Sequence, residues 1–319
     1  MRKILIDCDP GHDDAMAIML ALGNKDAFEV LGITCVGGNQ TLEKVSQNAL
    51  KVLTVVGKDI PVAKGAAGPL IKEIAPAPEA HGDTGMDGPI IDEITMDFVP
   101  QNGVEFLRDK ILAESKKITI VALGPLTNIA LLLKMYPEVK ERIECIALMG
   151  GSATSGNSTP AAEFNFYIDP HAAHIVFHSG IPIIQAGTEV SLAASILHTE
   201  IEQFKGKGKV SNFVYDLLEF YSKYSKGLGI DRSPIFDACP VMYLLHPELF
   251  VAKDYHVDIE LFGELTAGMS VTDKRVWYNM PEPNTKVLLD VTDRELFIKY
   301  LVEAISVLDD EREMMNGQK

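Results

Sequence analysis

Four carboxylates fall within eight residues near the start of the chain: Asp7, Asp9, Asp13 and Asp14, in the run Asp7-Cys8-Asp9-Pro10-Gly11-His12-Asp13-Asp14-Ala15. They follow Ile4-Leu5-Ile6, an apolar stretch that reads as a buried first strand. Like charges crowded at a strand end repel one another and are expensive to desolvate. Such a group is tolerable only if a cation neutralises it or some acids stay protonated. Oxygen donors in this density suit calcium or magnesium rather than zinc. A helix cap explains one acid, or two. Four exceed that need, and the run reads as a metal site.

Residues that do chemistry need elements to position them, and strand-like and helix-like stretches alternate here. Strands are expected at Ile4–Cys8, Phe28–Val36, Ile118–Leu123, Ile143–Met149, Ile181–Ala186 and Thr285–Val291. Helices are expected from Ala15, over Leu42–Val56, Leu126–Met135 and Pro170–His178, and over Glu295–Leu308. Continuous apolar strands are typical of sheets covered on both faces. The alternation predicts an α/β fold with an open, doubly wound, mostly parallel sheet. Ligands in such sheets bind beyond the carboxyl ends of the strands. Those ends carry Asp7-Cys8-Asp9, Gly37-Gly38-Asn39-Gln40-Thr41, Gly124-Pro125-Leu126-Thr127-Asn128 and Gly150-Gly151. No linker-like tract divides residues 1–319, so one domain is expected. Within it, residues 199–240 form a helical, aromatic-rich, lid-like segment (Phe213, Tyr215, Phe220, Tyr221, Tyr224). The acidic tail Asp309-Asp310-Glu311-Arg312-Glu313 is expected to be solvated.

A net charge of −16 with scattered Lys and Arg argues against a nucleic-acid partner. No apolar run is long enough to span a bilayer, and Met1-Arg2-Lys3 leads directly into a strand, so no signal peptide is expected. Cys8, Cys35, Cys145 and Cys239 are widely spaced and form no C-x-x-C pair. Buried, reduced thiols in a cytoplasmic protein are expected.

The opening run resembles the N-terminal signature of the inosine–uridine-preferring nucleoside N-ribohydrolases. Further matches are Gly38-Asn39-Gln40-Thr41, His81-Gly82-Asp83-Thr84-Gly85, Leu123-Gly124-Pro125-Leu126-Thr127-Asn128, Met149-Gly150-Gly151 and Ala162-Glu163-Phe164-Asn165. The resemblance implies hydrolysis of ribonucleosides to base and ribose around a calcium ion. It makes Asp9, Asp14, Asp237 and the Leu123 carbonyl the metal ligands, with Asp9 also the general base acting on the attacking water. Asp13, Asn39, Met149, Asn157, Glu163 and Asn165 would surround the ribose. It also implies a homo-oligomer, tetramer or dimer.

One position departs from the pattern. Many members of that family carry histidine immediately before the last metal aspartate, where this chain has Phe236. Phenylalanine cannot protonate a departing base, which leaves His81, Tyr224 and Asp231 as other base-pocket candidates and leaves base preference open. Asn39 and Asn157 also read as turn residues, and Glu163 and Asn165 as caps of the helix that begins near Asp169. Two rival functions exist. A haloacid dehalogenase-type phosphatase also has Asp-x-Asp after its first strand and uses the first aspartate as nucleophile. A catalytically impaired nucleoside-binding protein would account for Phe236.

Overall fold

A computed structural model describes residues 1–91, 93–277 and 279–317. Its strands are β1 Arg2–Cys8, β2 Phe28–Cys35, β3 Val62–Lys64, β4 Ile118–Ala122, β5 Ile143–Met149, β6 Ile183–Ala186, β7 Ile196–Leu197, β8 Arg232–Ser233, β9 Phe250–Ile259, β10 Ser270–Asp273 and β11 Thr285–Val291. Among the described residues, nine of these form one sheet in the order β10-β9-β11-β6-β5-β4-β1-β2-β3. The strands from β11 to β3 run parallel, and β9 and β10 add an antiparallel edge. The expected doubly wound α/β sheet is therefore present.

Chain order explains where a crevice opens. The strands progress outward through β2 and β3, and the chain then returns to place β4 on the other side of β1. Connections leaving β1 and β4 therefore diverge to opposite sides, and a cleft forms past their carboxyl ends. Ile4, Leu5 and Ile6 have no solvent exposure, as expected for a strand covered on both faces. Burying each such side chain contributes about 1.5–3 kcal/mol.

The helix His12–Gly23 leaves β1 and is buried along its whole length. Its Ala15-Met16-Ala17-Ile18-Met19-Leu20 run is apolar all round because neighbours enclose it, chiefly the helices Ala238–Leu245 and Arg294–Gly317. This burial holds Asp13 and Asp14, in its first turn, rigidly at the cleft.

Three expectations need correction. The last helix extends over Arg294–Gly317 rather than ending near Leu308, and two acids of the supposedly solvated tail are buried. Asp309 accepts bonds from the Val210 and Ser211 amides (2.7 and 3.0 Å) and the Ser211 hydroxyl (2.5 Å). It thereby caps the helix Lys209–Gly227 from elsewhere in the chain. Glu311 pairs with Lys25 and Lys58 at 2.5 and 2.6 Å. The segment 199–240 is also only partly helical: a 3-10 turn His198–Phe204 and the helix Lys209–Gly227 lead into β8.

Candidate active site

Asp9 stands just past β1, and its backbone is tied to the helix behind it. The Asp9 and Gly11 amides donate to the Asp14 carboxylate at 3.2 and 2.9 Å. From β2 comes Asn39, whose amide N–H donates to Asp9 Oδ2 at 2.7 Å. The Asn39 side-chain amide reaches the Asp9 carbonyl (3.1 Å) and Asp14 Oδ2 (3.3 Å). The carboxylate of Asp9 lies between Gly38 and Gly124, where a Cβ would meet its oxygens at 2.1 and 2.5 Å. Only glycine fits either neighbouring position.

Asp237, at the start of the helix Ala238–Leu245, completes the group. Oxygens of Asp13, Asp14 and Asp237 all lie within 4.8 Å of one another. All four acids are buried, and no lysine or arginine pairs with any of them among the described residues. Burial, and then the charge of Asp14, pushes the Asp13 carboxyl up to about 8. The same two causes, in that order, hold Asp9 and Asp237 well above the usual carboxylate range. Burial raises Asp14 too, against the hydrogen bonds it accepts. Oδ1 of Asp13 is buried with no hydrogen-bond partner. Three converging carboxylates, one with an orphaned oxygen, fit a hard divalent cation and leave no positive group to replace it.

The far wall comes from β4, β5 and the turn after β5. The Asn165 amide donates to the Leu123 and Met149 carbonyls at 2.7 and 3.1 Å, so it clamps two adjacent strand ends together. Glu163 caps the short helix Phe164–Ile168 through the Asn165 and Phe166 amides and also accepts from Gly151. Burial lifts its carboxyl to about 7. Glu163 is therefore a cap, though not of the helix that begins after Asp169, where Asp169 itself accepts from the Ala172 amide; Asn165 caps no helix, and both residues are buried beside the cleft. Asn157 differs: it is exposed, and its side-chain oxygen accepts from the Phe164 amide at 2.9 Å.

The aromatic side is built around a residue that sequence reasoning left without a role. His12 is fully buried, and its ring stacks with His81, Phe220 and Tyr221 at centroid separations of 5.3–5.4 Å. His12 Nε2 lies 2.8 Å from the Asp87 carbonyl, which can only accept, so Nε2 carries the proton. His12 Nδ1 is then the acceptor facing His81 Nδ1 at 3.2 Å. Burial holds His12 at about 4 and His81 at about 3, so both rings are neutral at pH 7. Tyr221 is buried where the charges of Asp13, Asp237 and Asp14 reach its hydroxyl and add to the burial that raises it.

Tyr224, one turn along that helix, is 45 % exposed. Asp231 forms an exposed pair with Arg232 at 3.0 Å. Neither makes a hydrogen bond or ring contact with the acidic group among the described residues. Phe236 is half-buried and packs on the core.

Asp7 resolves one rivalry. Its carboxyl points into the interior, accepting from Thr34 at 2.5 Å and Asn128 at 2.8 Å. It has no exposure, and burial pushes it up to about 7. A haloacid dehalogenase-type phosphatase needs that first aspartate free to attack, so the phosphatase reading fails.

Known proteins of similar sequence and shape agree with this geometry. The family profile described as inosine-uridine preferring nucleoside hydrolase matches residues 4–299. A pyrimidine-specific ribonucleoside hydrolase of Klebsiella pneumoniae is 44 % identical over 311 residues, covering 95 % of this chain and 98 % of its own. The protein of the same description from Shewanella woodyi is 45 % identical over 310 residues, with the same coverage of both chains. Among solved structures, a purine-preferring ribonucleoside hydrolase from Gardnerella vaginalis superposes with a TM-score of 0.89 at 29 % identity, over 97 % of this chain and 99 % of that one.

Proposed function

The chain belongs to the inosine-uridine preferring nucleoside hydrolase family and hydrolyses the N-glycosyl bond of ribonucleosides; from that premise we propose a calcium-dependent enzyme that prefers pyrimidine nucleosides. The observation that carries the metal reading is the convergence of Asp13, Asp14 and Asp237 in a buried site without a basic partner. Asp9, Asp14, Asp237 and the Leu123 carbonyl would hold the ion, and Asp13, which converges on Asp14 and Asp237, would face both it and the ribose. When bound, calcium supplies a many-oxygen coordination shell for water and the vicinal ribose hydroxyls.

The rest falls to the chain's own residues. Asp9 is the general base. Its Oδ2 is fixed by the Asn39 amide, which leaves Oδ1 to take the proton of the attacking water. Asn39, Met149, Glu163 and Asn165 would surround the ribose, and Asn157 would join them only by releasing the Phe164 amide and turning in from the exposed loop. Carboxylate and amide oxygens held there stabilise positive charge as the bond to the base breaks and a ribosyl cation-like transition state forms. His81 and Phe236 line the base side, with Tyr224 and Asp231 farther out.

The pyrimidine preference rests on relatives that are 44–45 % identical over 95 % of the chain. The solved purine-preferring relative is more distant, at 29 %. Four free, buried cysteines support a reducing, cytoplasmic setting. The family reading also carries a homo-oligomer, dimer or tetramer.

A free-ribose assay over uridine, cytidine, inosine, adenosine and 2′-deoxyinosine, with chelator and with calcium restored, tests the scheme. Uridine and cytidine should lead, the deoxy sugar should fail, and chelation should stop turnover until calcium returns. Equal rates on inosine and 2′-deoxyinosine, or indifference to chelator, would overturn the sugar and metal assignments. A purine lead would overturn only the base preference, and binding of intact nucleoside without turnover would favour an impaired binding protein.

A further inference from the structure

His12 opens the buried helix His12–Gly23, directly ahead of Asp13 and Asp14, and its ring has no exposure. Both of its ring nitrogens go to one short stretch of the chain. Nε2 lies 2.8 Å from the Asp87 carbonyl, and Nδ1 lies 3.2 Å from His81 Nδ1. That stretch is closed on itself. The Asp87 amide donates to the His81 carbonyl at 3.3 Å, and the Asp87 carboxylate accepts from the Asp83 and Thr84 amides at 3.1 and 3.0 Å. Asn48 ties it down separately, donating to the Pro10 and Thr84 carbonyls at 3.0 and 2.9 Å. Gly11 lets the two rings meet, because a Cβ there would lie 2.5 Å from His81 Nδ1. The same point is 3.1 Å from the side-chain nitrogen of Asn39, the residue that fixes Asp9. The His81 ring therefore flanks the acid site.

Protons decide what His81 can do. The Asp87 carbonyl only accepts, so the one proton of a neutral His12 is on Nε2. The 3.2 Å contact between the two Nδ1 atoms then needs a proton from His81. The His12 backbone N–H also approaches His81 Nδ1, at 3.5 Å. Were that the operative bond, two lone pairs would face one another across the shorter contact. A doubly protonated His12 would relieve them, but burial disfavours that charge, and no carboxylate accepts from either ring nitrogen among the described residues. His81 therefore carries its proton on Nδ1. Its Nε2 holds a lone pair and meets no donor among the described residues.

We propose that His12 is a positioning residue for the nucleoside: it locks His81 as the Nδ1–H tautomer, so that His81 receives the base through a bare Nε2, as an acceptor of an N–H. The inference rests on the nucleosidase reading and on His81 lining the base side. Uracil offers its N3–H and cytosine its exocyclic amino group, so both pyrimidines carry a donor for that nitrogen. A bare Nε2 has no proton to give a departing base, so His81 binds the base and is not the leaving-group acid. The lock comes from Asp87. Flipping His81 to its other tautomer flips His12 too, and sets a bare His12 Nε2 against the Asp87 carbonyl, two buried acceptors 2.8 Å apart. Phe220 and Tyr221 stack on His12 at 5.3 Å, within 7° of parallel, and keep its plane fixed.

Heteronuclear NMR of the histidine ring nitrogens reads the tautomers directly, in the calcium-loaded, substrate-free parent chain near neutral pH. His81 should show a protonated Nδ1 and a bare Nε2, and His12 the reverse. Either ring in its other form, or doubly protonated, overturns the inference. His12→Phe keeps the stacked ring and removes both nitrogens, while Asn48 still ties the turn. It should raise KM for uridine about tenfold, the upper range of one hydrogen bond's contribution, with kcat within about threefold. His12→Asn, whose carbonyl oxygen can take the place of Nδ1, should recover much of that loss. The calcium needed for half-maximal rate should stay the same in both variants. A fall in kcat at constant KM would make His81 an acid, and weakened calcium binding would make His12 a mere prop of the metal-site helix; either result, or a KM that does not move, overturns the inference. A parent chain that releases no ribose would end the nucleosidase reading, and this inference with it.

Discussion

Replacing Asp13 with Asn should make the calcium-free protein more stable, and increasingly so as pH rises. The Asp13 carboxyl goes from an ordinary 3.8 to about 8 in the folded chain. The folded state therefore binds the proton more tightly than the unfolded state does. Stability contributed by that proton is present at low pH, declines between about 4 and 8, and is gone above 8. At about 1.4 kcal/mol for each pH unit, full ionisation withdraws about 6 kcal/mol, of which about 2–3 kcal/mol is lost between pH 6 and 8. For 319 residues the unfolding entropy is roughly 0.7 kcal/mol/K, so the share between pH 6 and 8 is about 3–4 °C in melting temperature. Thermal melts of the chelated parent and Asp13→Asn at pH 6 and pH 8 measure it. The parent should lose that increment relative to the variant. Asp7, at about 7 and taking no part in the Asp13 shift, contributes equally to both proteins and cancels. Saturating calcium should shrink the difference or reverse it, because bound ligand stabilises the parent. Parallel pH dependence in the two chelated proteins would refute the argument that repulsion and burial are held in check only by a cation.

Two further substitutions probe the frame around the site. Gly38→Ala puts a Cβ about 2.1 Å from Asp9 Oδ2, and displacing a base by an ångström can lower turnover about a hundredfold; near-normal kcat in a folded variant would contradict the placing of Asp9. Asp309→Ala leaves the Val210 and Ser211 amides without their acceptor. It should destabilise the chain by about 2 kcal/mol in urea unfolding, and an unchanged midpoint would dismiss the remote cap.

What was legible in the sequence was local. The acid run, the apolar strands and the helix bounds at Leu42–Val56 and Pro170–Phe177 all lie within a few residues of their own signals. Strands β3, β9 and β10 gave no such signal: β3 has three residues, and β9 is exposed over much of its length, so neither has a sustained apolar period. Tyr221 and Tyr224 are three residues apart on one helix, and nothing in their spacing says which faces the acids. Only the packing of that helix on His12 decides it. Asp309 and Glu311 looked like a solvated charge run because their partners, Val210, Ser211, Lys25 and Lys58, are remote in sequence.

The bond from Asp309 to the start of the Lys209–Gly227 helix orders events in time. During synthesis the acid cluster's first members emerge early, but the aromatic wall carried by Phe220 and Tyr221 waits on a carboxylate made about a hundred residues after the helix begins. A nascent chain can thus assemble its sheet long before its reaction chamber is walled, and a chain cut short of that carboxylate would keep its strands while the chamber stays ajar.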